Sequence, residues 1–159
     1  MIPPRQIKKA RGSGNELAIN GEYKIAAPRE KVWAALNDAV VLQACIPGCE
    51  ELSALSDTHI EAKITAQLGP IRSTFATRIV LSDLNPPLGY TLSGEGKGVV
   101  GFGRGSAKVE LTNVEGGTLL RYEGLLTTGG KLAQLGARLL ESATRSYAEQ
   151  FFKIGRAHV

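Results

Sequence analysis

The sequence predicts an α+β domain of two layers, a curved antiparallel sheet of about seven strands around a long C-terminal helix, with two short helices after the first strand. Three observations carry this. From Cys49 to Thr128 apolar and polar residues alternate with period two, the mark of strands with one covered face. From Gly130 the period changes to 3.6, for about six turns. The breaks inside the alternating region are short and rich in Gly, Pro, Asn and Asp, which implies hairpins and a meander.

The elements follow in order. Leu17, Ile19, Gly21, Tyr23 and Ile25 alternate with polar residues through Ala26, a first strand. Ala27-Pro28-Arg29-Glu30 opens a helix, with Pro near the first turn, where a missing N–H costs nothing. Val32, Trp33 and Leu36 give that helix an apolar face. Asn37-Asp38 starts a second helix, Val40 to Cys45, which Ile46-Pro47-Gly48 stops. Strands are expected at 50–56, 59–68, 71–84, 88–95, 102–114 and 118–127. The final helix carries Leu132, Leu135, Leu139, Ala143, Tyr147 and Phe151 along one face.

A chain of 159 residues suits one domain that can bury its core without a disulfide or structural metal. Its apolar content excludes disorder for the bulk of the chain. No stretch approaches the ~18 uncharged apolar residues of a membrane span. Two Cys and no N-terminal apolar segment argue against secretion. The net charge of +4 belongs to one end: Arg5, Lys8, Lys9 and Arg11 stand in the first 14 residues without an acid, and the remainder holds 15 basic and 15 acidic residues. A nucleic-acid groove needs cations clustered on the folded body with aromatics between them, and none is visible. Residues 1–14 therefore read as a disordered basic extension, 15–153 as the domain, and 154–159 as a non-native tail that breaks the helical pattern and resembles a translated sequencing-library adapter.

Strand sidedness says what lies between the layers. The inward sets are Ile60, Ala62, Ile64, Ala66 and Leu68; Ile71, Ser73, Phe75, Thr77 and Ile79; Leu88, Tyr90 and Leu92; Gly105, Ala107, Val109 and Leu111; and Leu120, Tyr122, Gly124 and Leu126. Many of these are small. Interiors pack densely, so either larger residues fill the gap or an apolar cavity remains, and sidedness alone leaves both open.

The inward sets contain no Asp, Glu, His, Lys or Arg, so general acid–base chemistry would rest on Tyr90, Tyr122 or Tyr147. A lone buried Tyr is more often a packed core residue with a satisfied hydroxyl. Cys45 and Cys49 straddle Pro47-Gly48, too few ligands for zinc; they read as packed thiols or a redox pair. Gly96-Lys97-Gly98-Val99-Val100-Gly101 matches the dinucleotide pattern G-x-G-x-x-G, but alternation after it predicts a strand where that site requires a helix. The glycines from Gly94 to Gly105 read instead as a flexible, bulged hairpin, with a cavity lid as the functional version.

Pro28-Arg29-Glu30-Lys31-Val32-Trp33-Ala34-Ala35-Leu36-Asn37-Asp38, then Leu42-Gln43-Ala44-Cys45-Ile46-Pro47-Gly48-Cys49-Glu50, resemble the CoxG-like family of carbon monoxide dehydrogenase subunits. Leu68-Gly69-Pro70-Ile71, the glycine hairpin, and Gly129-Gly130-Lys131-Leu132-Ala133-Gln134-Leu135-Gly136 extend the match, which covers about Leu17 to Phe152. The resemblance implies the START-like (SRPBCC) helix-grip fold, with a ligand cavity between sheet and helix. It further implies a non-catalytic accessory that serves or recruits a molybdenum hydroxylase such as carbon monoxide dehydrogenase at the inner face of the cytoplasmic membrane. Some members are thought to carry a quinone. The expected ligand is thus a quinone or prenyl lipid, with no covalent cofactor and no metal. Membrane anchoring, which many members owe to a C-terminal extension, is in doubt for a chain that stops soon after Phe152. The expected lining is Ile64, Phe75, Tyr90, Leu92, Val109, Tyr122, Leu135, Leu139 and Ala143, with Tyr90 and Tyr122 bonding a ligand carbonyl and the glycine hairpin and the Ile46–Cys49 turn framing the opening. The rivals are a docking module with a filled core and a cyclase-like enzyme.

Overall fold

A computed structural model describes residues 16–159, so the expected disordered extension at 1–14 lies outside the described residues. The strands are β1 (Glu16–Ile25), β2 (Cys49–Ala54), β3 (His59–Leu68), β4 (Ile71–Asn85), β5 (Gly89–Gly98), β6 (Gly101–Val114) and β7 (Gly117–Gly130). The helices are α1 (Arg29–Leu36), α2 (Ala39–Cys45) and α3 (Ala137–Gly155). The strands form one antiparallel sheet in the order β1-β7-β6-β5-β4-β3-β2, a meander that β1 extends by pairing with β7. This is the expected α+β, helix-grip architecture.

Local chemistry explains the joints. Pro28 occupies the N-cap of α1 in an extended conformation. The Asp38 carboxylate accepts from Val40 N at 2.9 Å and Val41 N at 3.3 Å, capping α2. Gly48 follows with φ 75°, a conformation only glycine adopts freely, against the Thr65 carbonyl. The core joins Ile25, Val32, Leu81, Tyr90, Val109, Leu111 and Leu120, with Trp33 and Phe152 packed on it. Thr118, wholly buried, donates its hydroxyl to Ala27 O at 2.7 Å and ties the start of β7 to the segment before α1.

Three expectations are corrected. The glycine hairpin is neither bulged nor broken: β5 and β6 pair without a register shift from Gly89↔Glu110 to Gly98↔Gly101, leaving Val99-Val100 as the turn. The irregularities lie elsewhere, at Cys49/Glu51 and at Ser82/Asn85, where Asp83 takes φ 52°. The last helix does not begin at Gly130. β7 runs to that residue, Ala133–Leu135 form a 3-10 turn, and Gly136 at φ 88° redirects the chain into α3. Nor does Ile154 break the helix, which continues through Gly155 into a 3-10 turn at Arg156–His158.

β2 is shorter than its neighbour and pairs only as far as Ile64. Beyond it, two outward amides of β3 find other partners: Thr65 N donates to Gly48 O at 2.9 Å, and Gln67 N donates to the Tyr147 hydroxyl of α3 at 3.0 Å. The helix then crosses the concave face to β1, where the Phe152 ring stacks on Tyr23 at 4.2 Å and the Arg156 guanidinium donates to Lys24 O at 3.2 Å.

Candidate ligand cavity

Between the sheet and the C-terminal half of α3 lies a cavity of about 330 Å³. Its floor is Ile19, Leu120, Tyr122, Ala107, Val109, Tyr90, Leu92, Ile79, Leu81, Ile60 and Leu52, one residue or two from every strand. Leu36, Leu42 and Ile46 close it from the α1–α2 side, and Thr144, Ala148, Phe151 and Phe152 from α3. No acid, amine, imidazole or thiol stands in this lining. The volume falls within the range of small-molecule sites, and the wall is hydrocarbon except for three hydroxyls.

Those hydroxyls differ in their surroundings. Tyr90 is buried edge-on to Trp33, ring centroids 5.5 Å apart, and its hydroxyl has no hydrogen-bond partner among the described residues. Burial pushes its pKa up to about 12, so it remains a neutral donor at any ordinary pH. Thr144 donates to Glu141 O one turn back, at 2.9 Å. Tyr122 lies across Gly21 of β1, where a Cβ would meet its Cε1, Cζ and Oη at 2.6 to 2.7 Å. Its ring is parallel to Tyr23 at 6.5 Å. Burial raises Tyr122, with the neighbouring Tyr23 adding to the shift, and burial likewise raises Tyr23.

Of the residues expected to line a cavity, Tyr90, Leu92, Val109 and Tyr122 do so. Ile64, Phe75, Leu135, Leu139 and Ala143 are not in the lining. Phe75 is buried beside Gly98, whose absent side chain leaves room for its ring, and Ile64 is its cross-strand neighbour. Leu135 belongs to the 3-10 turn. Leu139 sits on Gly69, and with Ala143 it borders a separate, more polar groove with Gln67, Ser142, Ser146 and Gln150. The helix presents the next stripe to the cavity, Thr144, Ala148 and Phe151-Phe152, in line with buried Leu140. A spacing of four, four and three or four marks that stripe, but Thr144 interrupts its hydrophobicity. Ile46 lines the cavity, whereas the glycine hairpin does not frame it.

Cys45 and Cys49 are free thiols, and burial raises both. Among the described residues no three His, Cys, Asp or Glu side chains are grouped to hold a metal ion, and no helix is long and apolar enough to cross a membrane.

The family model for the carbon monoxide dehydrogenase subunit CoxG matches residues 21–158. Among solved structures, a conserved protein from Geobacillus kaustophilus is 28% identical, with a TM-score of 0.84 over 89% of this chain and 93% of that one. The ZhuI aromatase/cyclase from Streptomyces sp. R1128 superposes with a TM-score of 0.65 at 15% identity, over 89% of this chain and 92% of that one. Ara h 8.0201 does so with 0.66 at 14% identity, over 90% and 97%. The last two show the shared helix-grip fold and nothing further. No curated protein matches the chain.

Proposed function

Because the chain belongs to the CoxG family of carbon monoxide dehydrogenase subunits, we propose that it is a non-catalytic carrier of a hydrophobic ligand, a quinone or prenyl lipid, serving a molybdenum hydroxylase such as carbon monoxide dehydrogenase at the membrane surface. The observation that carries this reading is the cavity wall: about 330 Å³ bordered by aliphatic and aromatic side chains, with hydroxyls as the only polar side-chain groups in the lining. Apolar contact over such a wall supplies affinity, and a neutral Tyr90 hydroxyl without a protein partner among the described residues supplies one directional bond for a ligand oxygen. The same wall disfavours an enzyme, since no titratable group of ordinary pKa touches the space.

Native followed by denaturing mass spectrometry of the chain, expressed with its own membrane lipids available, tests the reading. A quinone or prenyl lipid at near-stoichiometric occupancy is the expected result. An empty protein that also refuses added quinone would favour a docking module and direct attention to the outer surface.

A further inference from the structure

The turns at the two ends of the sheet differ in charge. At one end, residues 55–58, 83–88 and 115–116 hold Asp57, Asp83 and Glu115 and no cation. At the other lie the Val99-Val100 turn, the Gly69-Pro70 turn and the segment from β7 into α3. Leu139 on Gly69 brings the first turn of α3 to that end, and Gly130 against Gly101 brings Lys131. Arg72, Lys97, Arg104, Lys131 and Arg138 gather there, all exposed. Of these five only Lys97 has a salt bridge among the described residues, to Glu95 at 3.6 Å. Arg104 lies over the Phe102 ring, 5.5 Å from its centroid, and that ring lies across Gly129. The nearby acids are paired or set back: Glu50 with Lys63, Glu141 with Arg145, and Glu16 three rows from the turn. Beyond them all projects Val99, 98% exposed.

We propose that this end of the sheet docks on an anionic phospholipid surface, the Val99-Val100 turn entering the boundary between headgroups and acyl chains while Arg72, Arg104, Lys131 and Arg138 meet the phosphates. An apolar tip among unpaired cations has the composition of an interfacial anchor. A two-residue turn is too small for the ~800 Å² per side of a standard protein interface, whereas a fluid surface requires no matching shape. The chain before β1 carries the same charge to the same end. Arg5, Lys8, Lys9 and Arg11 precede Glu16, whose partner Thr127 stands three residues, or ~10 Å, from the Gly101↔Gly130 row. The opposite end also exposes apolar side chains, Leu55, Leu84 and Leu88, but Asp57, Asp83 and Glu115 repel an anionic surface there. The docking end rests on the membrane side of the carrier reading and names the surface that serves it, whatever ligand the cavity holds.

The test is flotation of the intact chain with vesicles of phosphatidylglycerol and phosphatidylcholine in equal parts, and with phosphatidylcholine alone. Wild type should float with the first and not the second, and added salt should weaken the binding. At ~1 kcal/mol, or about fivefold, per cation, Lys131→Gln with Arg138→Gln should weaken it roughly 25-fold. Val99→Asp, at a side chain that touches almost nothing, should weaken it at least about tenfold with an unchanged urea midpoint. Leu55→Asp makes the same change of charge at the other end and should stay within about twofold of wild type. Menadione uptake, read by quenching of Trp33, is measured on the same samples. A wild type that takes up menadione but ignores the anionic vesicles would overturn the docking end and leave the carrier reading standing. Vesicle binding with the expected losses but no menadione uptake would do the reverse. Binding undiminished in Val99→Asp and in the double variant, or equally diminished in Leu55→Asp, would also overturn the docking end.

Discussion

Enlarging Ala148 separates an empty cavity from a filled core. Ala148 is half-buried and faces the space from α3. Ala148→Leu adds three carbon atoms there, and each buried methylene-sized group is worth ~0.8 kcal/mol. Filling the void should therefore stabilise the fold by up to ~2.4 kcal/mol, with a helix-propensity change of a few tenths at most. At ~2–4 °C per kcal/mol for a domain of this size, the melting temperature should rise by ~5–10 °C. Ligand uptake should fall, because the same volume is now occupied. If the space were already filled, the added carbons would overpack it and cost ~1–3 kcal/mol. Urea unfolding followed by fluorescence of Trp33, the single tryptophan, measures the first quantity; quinone titration measures the second. A destabilised Ala148→Leu that still takes up quinone as wild type does would refute the placement of the site. Ala143→Leu, on the adjacent stripe, should leave uptake unchanged.

Other outcomes follow from particular contacts. Thr118→Val keeps the shape but leaves the buried Ala27 carbonyl unpaired; a loss of ~1–3 kcal/mol in urea, with unchanged slope, is expected. Gly124→Ala would drive a Cβ into the β6 backbone at Ser106 and Ala107, where no flexible side chain can yield, so a comparable or larger destabilisation should appear in thermal melts. Tyr90 is protonated more tightly folded (about 12) than unfolded (10.0), so its contribution is complete below pH ~10 and disappears as pH rises through ~12, amounting to roughly 3 kcal/mol. Urea midpoints across that window should fall less steeply in Tyr90→Phe than in wild type.

Most of the sheet was legible because side chains alternate wherever both faces have a distinct environment. Legibility ended where side chains do. Between Gly94 and Gly105 the inward positions of β5 and β6 are glycines, so the expected strands stop at 95 and resume at 102, although the backbone ladder continues to the turn at Val99-Val100. The helix misled for a different reason. Leu132, Leu135 and Leu139 are spaced like one helical face, but Gly136 at φ 88° interrupts the backbone between them, so the first two fix nothing about the orientation of the third. Two stripes then compete, Leu139-Ala143-Tyr147 and Leu140-Thr144-Ala148-Phe151. Only the partners decide: Gly69 receives Leu139, and Tyr23 receives Phe152. Four of the expected lining residues, all on the sheet, border the cavity because alternation fixes sidedness; Ile64 and Phe75 share that side but stand nearer the glycine end. The contribution of α1 and α2 has no comparable periodic signal, since each spans barely two turns.

The stripe that misses the cavity has work at the border of the sheet. Because β2 stops opposite Ile64 and Gly48 O reaches only the Thr65 amide, the Gln67 amide of β3 would otherwise stand bare to any passing strand. The Tyr147 hydroxyl occupies the Gln67 amide, so the helix denies that edge to a second chain. A phenylalanine at 147 would pack as well and leave the edge adhesive. Tyr147→Phe is therefore expected to lower the concentration at which the protein's molecules begin to join.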